Sequence, residues 1–231
     1  MALKVLNVSK YYGTLKVLDG VTFSVDEGEF LCIIGESGCG KTTILKIIAG
    51  IEKADSGEIV FDSGGRIGFV FQDDRLLPWK TVYENVMFAV KATGFEVNTP
   101  AVRETIELVG LSGFEGYYPK QLSGGMRQKA GIARALAVQP DLLLMDEPFA
   151  SLDARTRERM QEELLKIVKG KTVVFVTHSI DEALFLADRI VVFSPRPARV
   201  VRTVEVDLPK PRDRTSQDFA ELRVELYRSL E

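Results

Sequence analysis

The alternation of apolar and polar residues predicts that the chain begins with paired strands. Residues 3–10 and 21–25 alternate with the period-two pattern of strands, and tight turns join the successive strands. Short connections of this kind favour antiparallel pairing. Dense apolar runs at residues 30–34, 142–145 and 172–177 predict buried strands. The pattern therefore favours an antiparallel N-terminal part that is followed by an α/β core.

The rest of the pattern predicts helices and more strands. Helices are expected at residues 43–49, 81–92, 100–109, 154–168 and 219–230, with a short one that begins at residue 181. Strands are expected at residues 58–61, 67–71, 190–193 and 200–206, with a turn at residues 62–65. Because helical patterning dominates from residue 73 to 137, we predict one domain, with a helical subdomain there and a core of residues 1–72 and 138–231.

Composition and charge describe an ordinary globular protein. The 231 residues suffice for one sizeable core, and 45% are hydrophobic and 27% charged. The net charge of -3 gives no general attraction to nucleic acid. Two groups of arginines are interpreted as solvated faces, with a basic binding patch as the alternative: Arg155, Arg157, Arg159, Arg196, Arg199 and Arg202. Residues 208–214 are expected to form a polar linker. Without a long apolar run or a signal-peptide core, the chain is expected in the cytoplasm.

One stretch carries the clearest chemical signal, the sequence Gly-Glu-Ser-Gly-Cys-Gly-Lys-Thr at residues 35–42. It follows a predicted strand and precedes a predicted helix. Its glycines let successive amides turn inward and form an anion-binding nest at a helix N-terminus. Lys41 would reach the β and γ phosphates of a nucleotide, and Thr42 would give its hydroxyl to Mg²⁺. The alternative is a glycine-rich turn that only joins strand to helix.

The two cysteines are expected to be reduced thiols. Cys32 lies in a buried strand and should be inert. Cys39 lies in the predicted phosphate loop, where the helix N-terminus and Lys41 would favour its thiolate. We therefore expect alkylation of Cys39 to abolish nucleotide binding and bound nucleotide to protect it.

A second anion site is predicted at another helix start. Ser123 is a good N-cap, and Gly124 and Gly125 leave the first-turn amides bare of side chains. A different site is predicted where the strand at residues 142–145 ends in two carboxylates, Asp146 and Glu147. Because strand side chains alternate, the two should face differently, one supporting a Mg²⁺ shell and the other facing an attacking water. An acidic strand end before a proline turn is the alternative.

The single histidine, His178, follows the predicted strand at residues 172–177. Ligands of open α/β sheets gather at the carboxyl ends of the strands. This position favours a hydrogen bond to a γ-phosphate over a structural or surface role.

Together these motifs resemble the ATP-binding cassette family over essentially the whole chain. Residues 35–42 look like its Walker A loop, Gln72 its Q-loop glutamine, residues 122–128 its signature sequence, Asp146 and Glu147 the end of its Walker B strand, Asp153 its D-loop aspartate and His178 its switch histidine. The resemblance implies a P-loop NTPase core of the RecA-like type, an antiparallel β subdomain and an inserted α-helical signature subdomain. Tyr12 matches the adenine-stacking aromatic residue, with Tyr11 and local surface packing as alternatives.

The resemblance also implies the site residues of an ATPase that uses Mg²⁺. Catalytic roles fall to Lys41, Gln72, Glu147 and His178. Metal ligation falls to Thr42, Gln72 and Asp146. Contacts with ATP fall to Tyr12, Gly35, Glu36, Ser37, Gly38, Cys39, Gly40, Lys41, Thr42, Thr43, Ser123, Gly124, Gly125, Gln128 and Asp153.

In this family two cassettes pair head to tail, so the signature helix of one faces the γ-phosphate held by the other. The resemblance thus implies a homodimer in the ATP state with two composite sites. It also implies transmembrane permease subunits, an indirect link to a substrate-binding protein, a peripheral position on the cytoplasmic membrane face, and no nucleic acid.

Residues 72–79 are similar to the same stretch in importers of nitrate, sulfonates and taurine. There Leu76, Leu77 and Trp79 would suit a groove that receives a helix of a membrane partner, or else would pack the subdomain on the core. Two other classes of function are the alternatives. A cassette ATPase acting on nucleic acid or ribosomes usually has tandem cassettes, coiled-coil insertions or basic arms, which this sequence lacks. A P-loop kinase of small molecules would explain residues 35–42 but not the signature helix.

Overall fold

The computed structural model describes residues 2–62, 65–94 and 99–229. Its strands are β1 (Leu3–Tyr12), β2 (Leu15–Val25), β3 (Phe30–Ile34), β4 (Ser56–Phe61), β5 (Ile67–Val70), β6 (Leu142–Asp146), β7 (Thr172–Thr177), β8 (Arg189–Phe193) and β9 (Val200–Glu205). Its helices are α1 (Lys41–Ile48), α2 (Val82–Ala92), α3 (Thr99–Leu108), α4 (Gly124–Leu136), α5 (Ala154–Ile167), α6 (Ile180–Leu186) and α7 (Gln217–Arg228). These elements confirm the predicted ones, although β2 begins six residues before the predicted strand. Ser63 and Gly64 of the predicted turn and Leu230 of the last predicted helix lie outside the described residues.

The chain divides into two compact units. Unit 1 comprises Met1–Gly64 and Gly170–Glu231, and unit 2 comprises Gly65–Lys169. Unit 1 thus holds the phosphate loop and His178, and unit 2 holds the signature helix and the paired carboxylates. The subdomain boundaries predicted from the sequence, at residues 72–73 and 137–138, stay a prediction.

An antiparallel sheet of order β2-β1-β4 forms the N-terminal part of unit 1, as predicted. Leu3 and Val5 of β1 are buried, but the strict alternation ends at Asn7, which has a φ of 50°. The register of β1 against β2 shifts between Val5 and Val8, so Val8 is buried in its turn. A β-bulge of this kind bends the strand and changes which face its next residues occupy.

The second sheet of unit 1 has the strand order β7-β3-β8-β9, and its first three strands are parallel. All residues of β3 and β7 are buried, which explains their continuous apolar runs. Ile34 at the end of β3 pairs with Thr177 on one side and Val192 on the other. The segments that follow β3, β7 and β8 therefore leave the sheet on the same side, at the carboxyl ends of these strands.

Unit 2 combines a parallel strand pair with helices. β5 and β6 pair from Ile67 with Leu142 to Val70 with Met145. Helix α4 packs against α2, α3 and β5. A Cβ atom at Gly68 of β5 would lie 2.5 Å from the carbonyl oxygen of Ala135 in α4, a distance that only glycine permits.

Candidate functional site

The phosphate loop of unit 1 runs from the end of β3 into α1. Gly38 and Gly40 have positive φ angles of 75° and 129°, and a Cβ atom at Gly40 would lie 2.8 Å from Leu18 Cδ2. Gly40 is also the N-cap of α1 and has no side chain to accept from the first-turn amides. A helix start whose amides are left open in this way is an anion-binding nest.

Lys41 lies inside this loop. Its side chain is 4% exposed, and its Nζ atom donates to the carbonyl oxygens of Gly35 and Glu36, both at 2.8 Å. The backbone N–H of Cys39 donates to the same Glu36 oxygen at 3.3 Å. The loop thus brings the Lys41 ammonium group and the Cys39 amide to the same carbonyl oxygen.

Cys39 is buried, and its thiol is less acidic than the sequence predicted. Its side chain is 2% exposed, and its Sγ atom would lie 3.0 Å from a Cβ atom at Gly35. Burial raises the pKa of the Cys39 thiol, and the opposing influence of Lys41 is smaller. The expectation of a favoured thiolate was therefore wrong. Cys32 is buried as predicted, and burial raises the pKa of its thiol well above the ordinary value.

His178 lies at the carboxyl end of the parallel strands, as the phosphate loop does. Thr177 is the partner of Ile34 in the parallel pairing, so His178 and Gly35 follow two neighbouring strand ends. The His178 side chain is exposed, and the next residue, Ser179, accepts from the Glu182 N–H as the N-cap of α6. A capped helix therefore begins directly behind the histidine.

Tyr12 and Tyr11 occupy different surroundings at the end of β1. Burial and a hydrogen bond with Glu52 raise the pKa of Tyr12, and a hydrogen bond with Thr43 lowers it. Tyr12 thus lies against the first turn of α1, beside the phosphate loop. The Tyr11 ring lies 5.4 Å from Lys16 Nζ instead. Of the two tyrosines, Tyr12 is the one beside the phosphate loop.

The signature helix α4 begins in unit 2 as the sequence predicts. Ser123 is its N-cap and accepts from the Met126 N–H at 3.3 Å. A Cβ atom at Gly124 would have its nearest contact at 3.8 Å, and one at Gly125 would lie 3.5 Å from Thr156. Both are ordinary contact distances, so packing within unit 2 does not require glycine at either position.

Other predicted residues of unit 2 lie around this helix start. Asp153 is the N-cap of α5, the helix that carries Thr156, and accepts from the Thr156 N–H at 3.1 Å. Gln128 is only 3% exposed, and within the described residues its Nε2 atom has no hydrogen-bond partner. Asp153 is therefore close to the open start of α4, whereas the Gln128 side chain lies inside the unit.

Of the paired carboxylates, only Asp146 belongs to β6, so the alternation of strand side chains does not describe the pair. Asp146 is the last residue of β6 and is 4% exposed. Glu147 lies beyond the strand with a φ of 42°, and its side chain is half-buried. The two side chains do differ in environment, but the left-handed backbone at Glu147, rather than alternation, sets its direction. Gln72 lies just beyond the end of β5, the parallel neighbour of the strand β6 that Asp146 ends.

The segment after Gln72 is irregular but well held. The carbonyl oxygens of Asp74 and Arg75 accept from Arg134, and Asn85, which is fully buried, accepts from the Leu77 N–H at 2.7 Å. Leu76 is 8% exposed, whereas Trp79 is 69% exposed. Leu76 therefore packs inside unit 2, whereas Trp79 faces outward, and the groove for a membrane partner stays a prediction.

Two arginines that the sequence assigned to solvated segments make specific contacts in unit 1. Arg196 donates to the carbonyl oxygen of Gly38 in the phosphate loop through Nε, at 3.0 Å, and through Nη2. Arg212, from the predicted polar linker, is 7% exposed and donates to the carbonyl oxygens of Leu184, Phe185 and Val206. No local pattern could have revealed the contact with Gly38 or those with Leu184 and Phe185, since these partners are distant in sequence.

The described residues contain no group of three or more His, Cys, Asp or Glu side chains that could hold a metal ion. The same part of the chain contains no helix that is long and apolar enough to cross a membrane.

A family model described as ABC transporter matches residues 18–150, which is more than half of the chain. The chain belongs to the ABC transporter family. Membership confirms the P-loop NTPase fold and the prediction of an enzyme that binds and hydrolyses ATP in transport.

Several proteins of this family are similar over nearly their whole length. An ABC transporter ATP-binding protein of Methanocaldococcus jannaschii is 48% identical over 99% of this chain and 91% of its own. An aliphatic sulfonates import ATP-binding protein of Bacillus cereus is 45% identical over 100% and 96%. A taurine import ATP-binding protein of Rhizobium johnstonii is 46% identical over 94% and 90%.

Two solved structures share the fold. A dimeric ATP-binding cassette in a post-hydrolysis state, bound to ADP and phosphate, has a TM-score of 0.78 and 33% identity over 88% of this chain and 98% of that one. CbiO1 of Clostridium perfringens, part of an ABC transporter complex, has a TM-score of 0.80 and 26% identity over 100% and 95%.

Proposed function

We propose that this chain is the ATP-hydrolysing subunit of a membrane importer for a small solute of the nitrate, sulfonate or taurine type. Relatives that are 45% and 46% identical over nearly the whole chain are named for the import of aliphatic sulfonates and of taurine. The similarity of residues 72–79 to importers of this type supports the same assignment.

The open start of α4 is the observation that carries the mechanism. Gly124 and Gly125 have room for a side chain in their own unit, which supports a role for the bare amides in a contact outside it. A helix N-terminus with such amides favours an anion. In our proposal it binds the γ-phosphate held by a second copy, so that ATP joins two chains head to tail in two composite sites. The dimeric state of the cassette with 33% identity supports this arrangement.

Each copy would contribute two sets of contacts to ATP. Tyr12 would stack on the adenine, and the loop amides, Lys41 and Thr43 would hold the phosphates. The partner would contribute the signature residues Ser123, Gly124, Gly125 and Gln128 together with Asp153. Of these, Gln128 would act by bracing α4 from inside the unit, given its burial.

The predicted metal ligands have the chemistry that Mg²⁺ prefers. Thr42, Gln72 and Asp146 supply hydroxyl, amide and carboxylate oxygen, which are hard ligands, and Mg²⁺ usually needs only one or two protein carboxylates besides phosphate and water. The donor set therefore fits this ion. Bound there, the ion would neutralise charge on the phosphates during transfer.

Hydrolysis would proceed by in-line attack of water on the γ-phosphate, where catalysis is mainly positioning and charge stabilisation. Glu147 would orient or deprotonate the water, and Gln72 would help to position it. Lys41 and the loop amides would stabilise the developing negative charge, and His178 would hold the γ-phosphate from the edge of the sheet.

Trp79 is the proposed contact with a transmembrane permease subunit. Its 69% exposure is unusual for a large aromatic residue, and buried Leu76 together with Asn85 holds the segment that presents it. An exposed aromatic residue on a rigid support is a typical anchor for a partner helix. The chain would therefore lie peripherally on the cytoplasmic membrane face, as one ABC ATPase domain with a helical subdomain at residues 73–137.

A complementation experiment tests the composite site. Lys41→Ala would disable the phosphate loop, and Ser123→Arg would block the signature helix, so each variant alone should be inactive. Mixed in equal amounts, they should form heterodimers with one intact site and recover about a quarter of the wild-type ATPase rate. A self-contained site predicts no recovery at all.

Glu147→Gln should keep ATP binding, stop turnover and accumulate a dimer that size-exclusion chromatography detects. For the complementation experiment, the control is a mixture of two preparations of the Lys41→Ala variant, in which no intact site can form. A Glu147→Gln protein that stays monomeric with ATP and still hydrolyses it would contradict the mechanism.

The permease contact is tested in liposomes that contain the protein with its permease subunits. Trp79→Ala should lose the stimulation of ATPase activity by the permease and retain basal ATPase activity. Phe88→Ala is the matched control, because Phe88 is also exposed, at 52%, in the same unit. Equal loss in both variants would point to a general surface effect rather than to docking at Trp79.

A further inference from the structure

The contact between Arg196 and the phosphate loop is not explained by any role assigned above. Nε and Nη2 of Arg196 both donate to the Gly38 carbonyl oxygen. Gly38 is suited to this contact, since a Cβ atom there would lie 3.0 Å from Nη2 and its φ is 75°. A charged donor that binds one carbonyl from two nitrogen atoms fixes the orientation of that peptide group.

The orientation of this peptide group matters because of what lies on its other side. In a trans peptide the C=O and the N–H point in opposite directions. With Arg196 on the Gly38 carbonyl, the Cys39 N–H points away from it, and it donates to the Glu36 carbonyl oxygen at 3.3 Å. Lys41 Nζ donates to that same oxygen. The Cys39 amide and the Lys41 ammonium therefore face the same space inside the loop.

A rigid turn presents Arg196 to the loop. Ser194 Oγ accepts from the Arg199 N–H at 3.0 Å, and the Ser194 N–H donates to the Arg199 carbonyl oxygen at 3.0 Å. Ala198 is bound to β2 from both sides, because its N–H donates to Val17 and its carbonyl accepts from the Asp19 N–H, each at 2.9 Å. The backbone that carries Arg196 is thus fixed, and its exposed guanidinium group is held by the two hydrogen bonds to Gly38.

We propose that Arg196 is a positioning residue of the phosphate loop, which holds the Gly38–Cys39 peptide with its N–H turned into the loop, on the Glu36 oxygen that Lys41 also contacts, so that the loop keeps the shape that surrounds the phosphates. The inference rests on the proposed binding of ATP by residues 35–42. Preorganised donors cost less to arrange when the ligand arrives, so the effect falls on nucleotide affinity. ATP and ADP should be affected alike, because the loop holds the phosphates that they share.

Arg196→Ala tests this role. It should raise the Kd of both ATP and ADP about tenfold, as expected for a lost hydrogen bond from a charged group, and change kcat at saturating ATP by less than about twofold. Arg196→Lys keeps a positive charge and one donor at the carbonyl, so it should recover part of the affinity. Calorimetric titration with each nucleotide gives the affinities, and a thermal melt shows whether the fold is retained.

Arg199→Ala is the matched control. Arg199 belongs to the same turn, but its guanidinium group pairs with Asp19, which Lys16 also holds, and among the described residues it has no hydrogen bond with the loop. Its loss should leave both Kd values unchanged. Wild-type affinity in Arg196→Ala, or an equal loss in Arg199→Ala, would overturn the inference. If the unchanged protein itself bound neither nucleotide, the proposed function would fail instead, and the two results cannot be confused.

Discussion

Ile34 pairs with Thr177 at the last position of two parallel strands, so the next residues, Gly35 and His178, leave the sheet side by side. This register brings the only histidine of the chain to the start of the phosphate loop. His178 is exposed and a capped helix begins directly behind it, a position that suits the proposed contact with a γ-phosphate.

Replacement of His178 by Ala should separate hydrolysis from binding. We expect the ATPase rate to fall about a hundredfold, as on loss of one donor to the transition state, and the Kd of ATP to change by less than about threefold. Phosphate release and equilibrium titration measure the two effects. Asp181→Asn, a change at a half-buried position of α6 that weakens only the ion pair with Arg223, should leave both values unaltered. A His178→Ala protein with normal turnover would remove His178 from the mechanism.

Cys39 should react with iodoacetamide slowly at neutral pH. Burial raises the pKa of its thiol, so the thiolate, which is the reactive form, remains a minor species until the pH approaches this raised value. The rate should thus still be rising at a pH where an ordinary cysteine has reached its plateau. Peptide-resolved mass spectrometry would distinguish Cys39 from Cys32, which should react more slowly still because it is fully buried. A rate for Cys39 that levels off below the ordinary thiol pKa would show that the thiolate is favoured after all.

Asp153 should contribute stability that depends on pH. Hydrogen bonds from Thr156, chiefly from its backbone N–H, lower the pKa of Asp153 in the folded chain. Since the folded value lies below the unfolded one, the ionised cap stabilises α5 at neutral pH, and this contribution disappears as the pH falls through the folded pKa. Asp153→Ala should therefore be less stable than wild type in urea at pH 7, and the difference should shrink on acidification.

Asp153→Asn provides the comparison, because it keeps a capping oxygen and cannot ionise. The difference in stability between Asp153→Asn and Asp153→Ala should not vary with pH, because neither residue ionises, whereas the deficit of each variant against wild type should shrink on acidification. An Asp153→Ala deficit that stayed constant down to strongly acidic pH would assign the effect to packing rather than to the charge.

Arg212→Ala should lower the free energy of unfolding by about 3 kcal/mol, because it leaves buried carbonyl oxygens at Leu184, Phe185 and Val206 without their donor. Chemical denaturation with matched slopes would measure this loss. Arg223 of α7 forms a partly exposed ion pair with Asp181 of α6. Arg223→Ala removes this pair and should lower the free energy of unfolding by only about 0.5 kcal/mol. Similar losses in the two variants would mean that the burial of Arg212 carries no special weight.

The sequence predicted what neighbouring residues decide. The pattern of residues 30–49 predicts a buried strand, a glycine-rich loop and a helix in continuous order. The cap at Ser123 involves only the next three residues, because Ser123 accepts from the Met126 N–H. Chemistry of this kind is local, so the phosphate loop and the signature helix could both be assigned before the fold was known.

Contacts between distant residues were out of reach. Arg196 meets Gly38 across 158 residues, and the burial of Arg212 depends on carbonyl groups of α6. The left-handed backbone of Asn7 and Glu147 also escaped prediction, because a strand pattern read by alternation contains no signal for the residue at which it breaks.

The open glycine turn at the start of α4 has a kinetic consequence. If one molecule completes the site of another, hydrolysis by the free protein is second order, and the rate per molecule should rise with protein concentration until dimers saturate. Two copies held on one permease would meet at a fixed and high local concentration instead. The membrane partner would then also set the ATPase rate per molecule, because this rate would no longer depend on how many copies of the chain the cell contains.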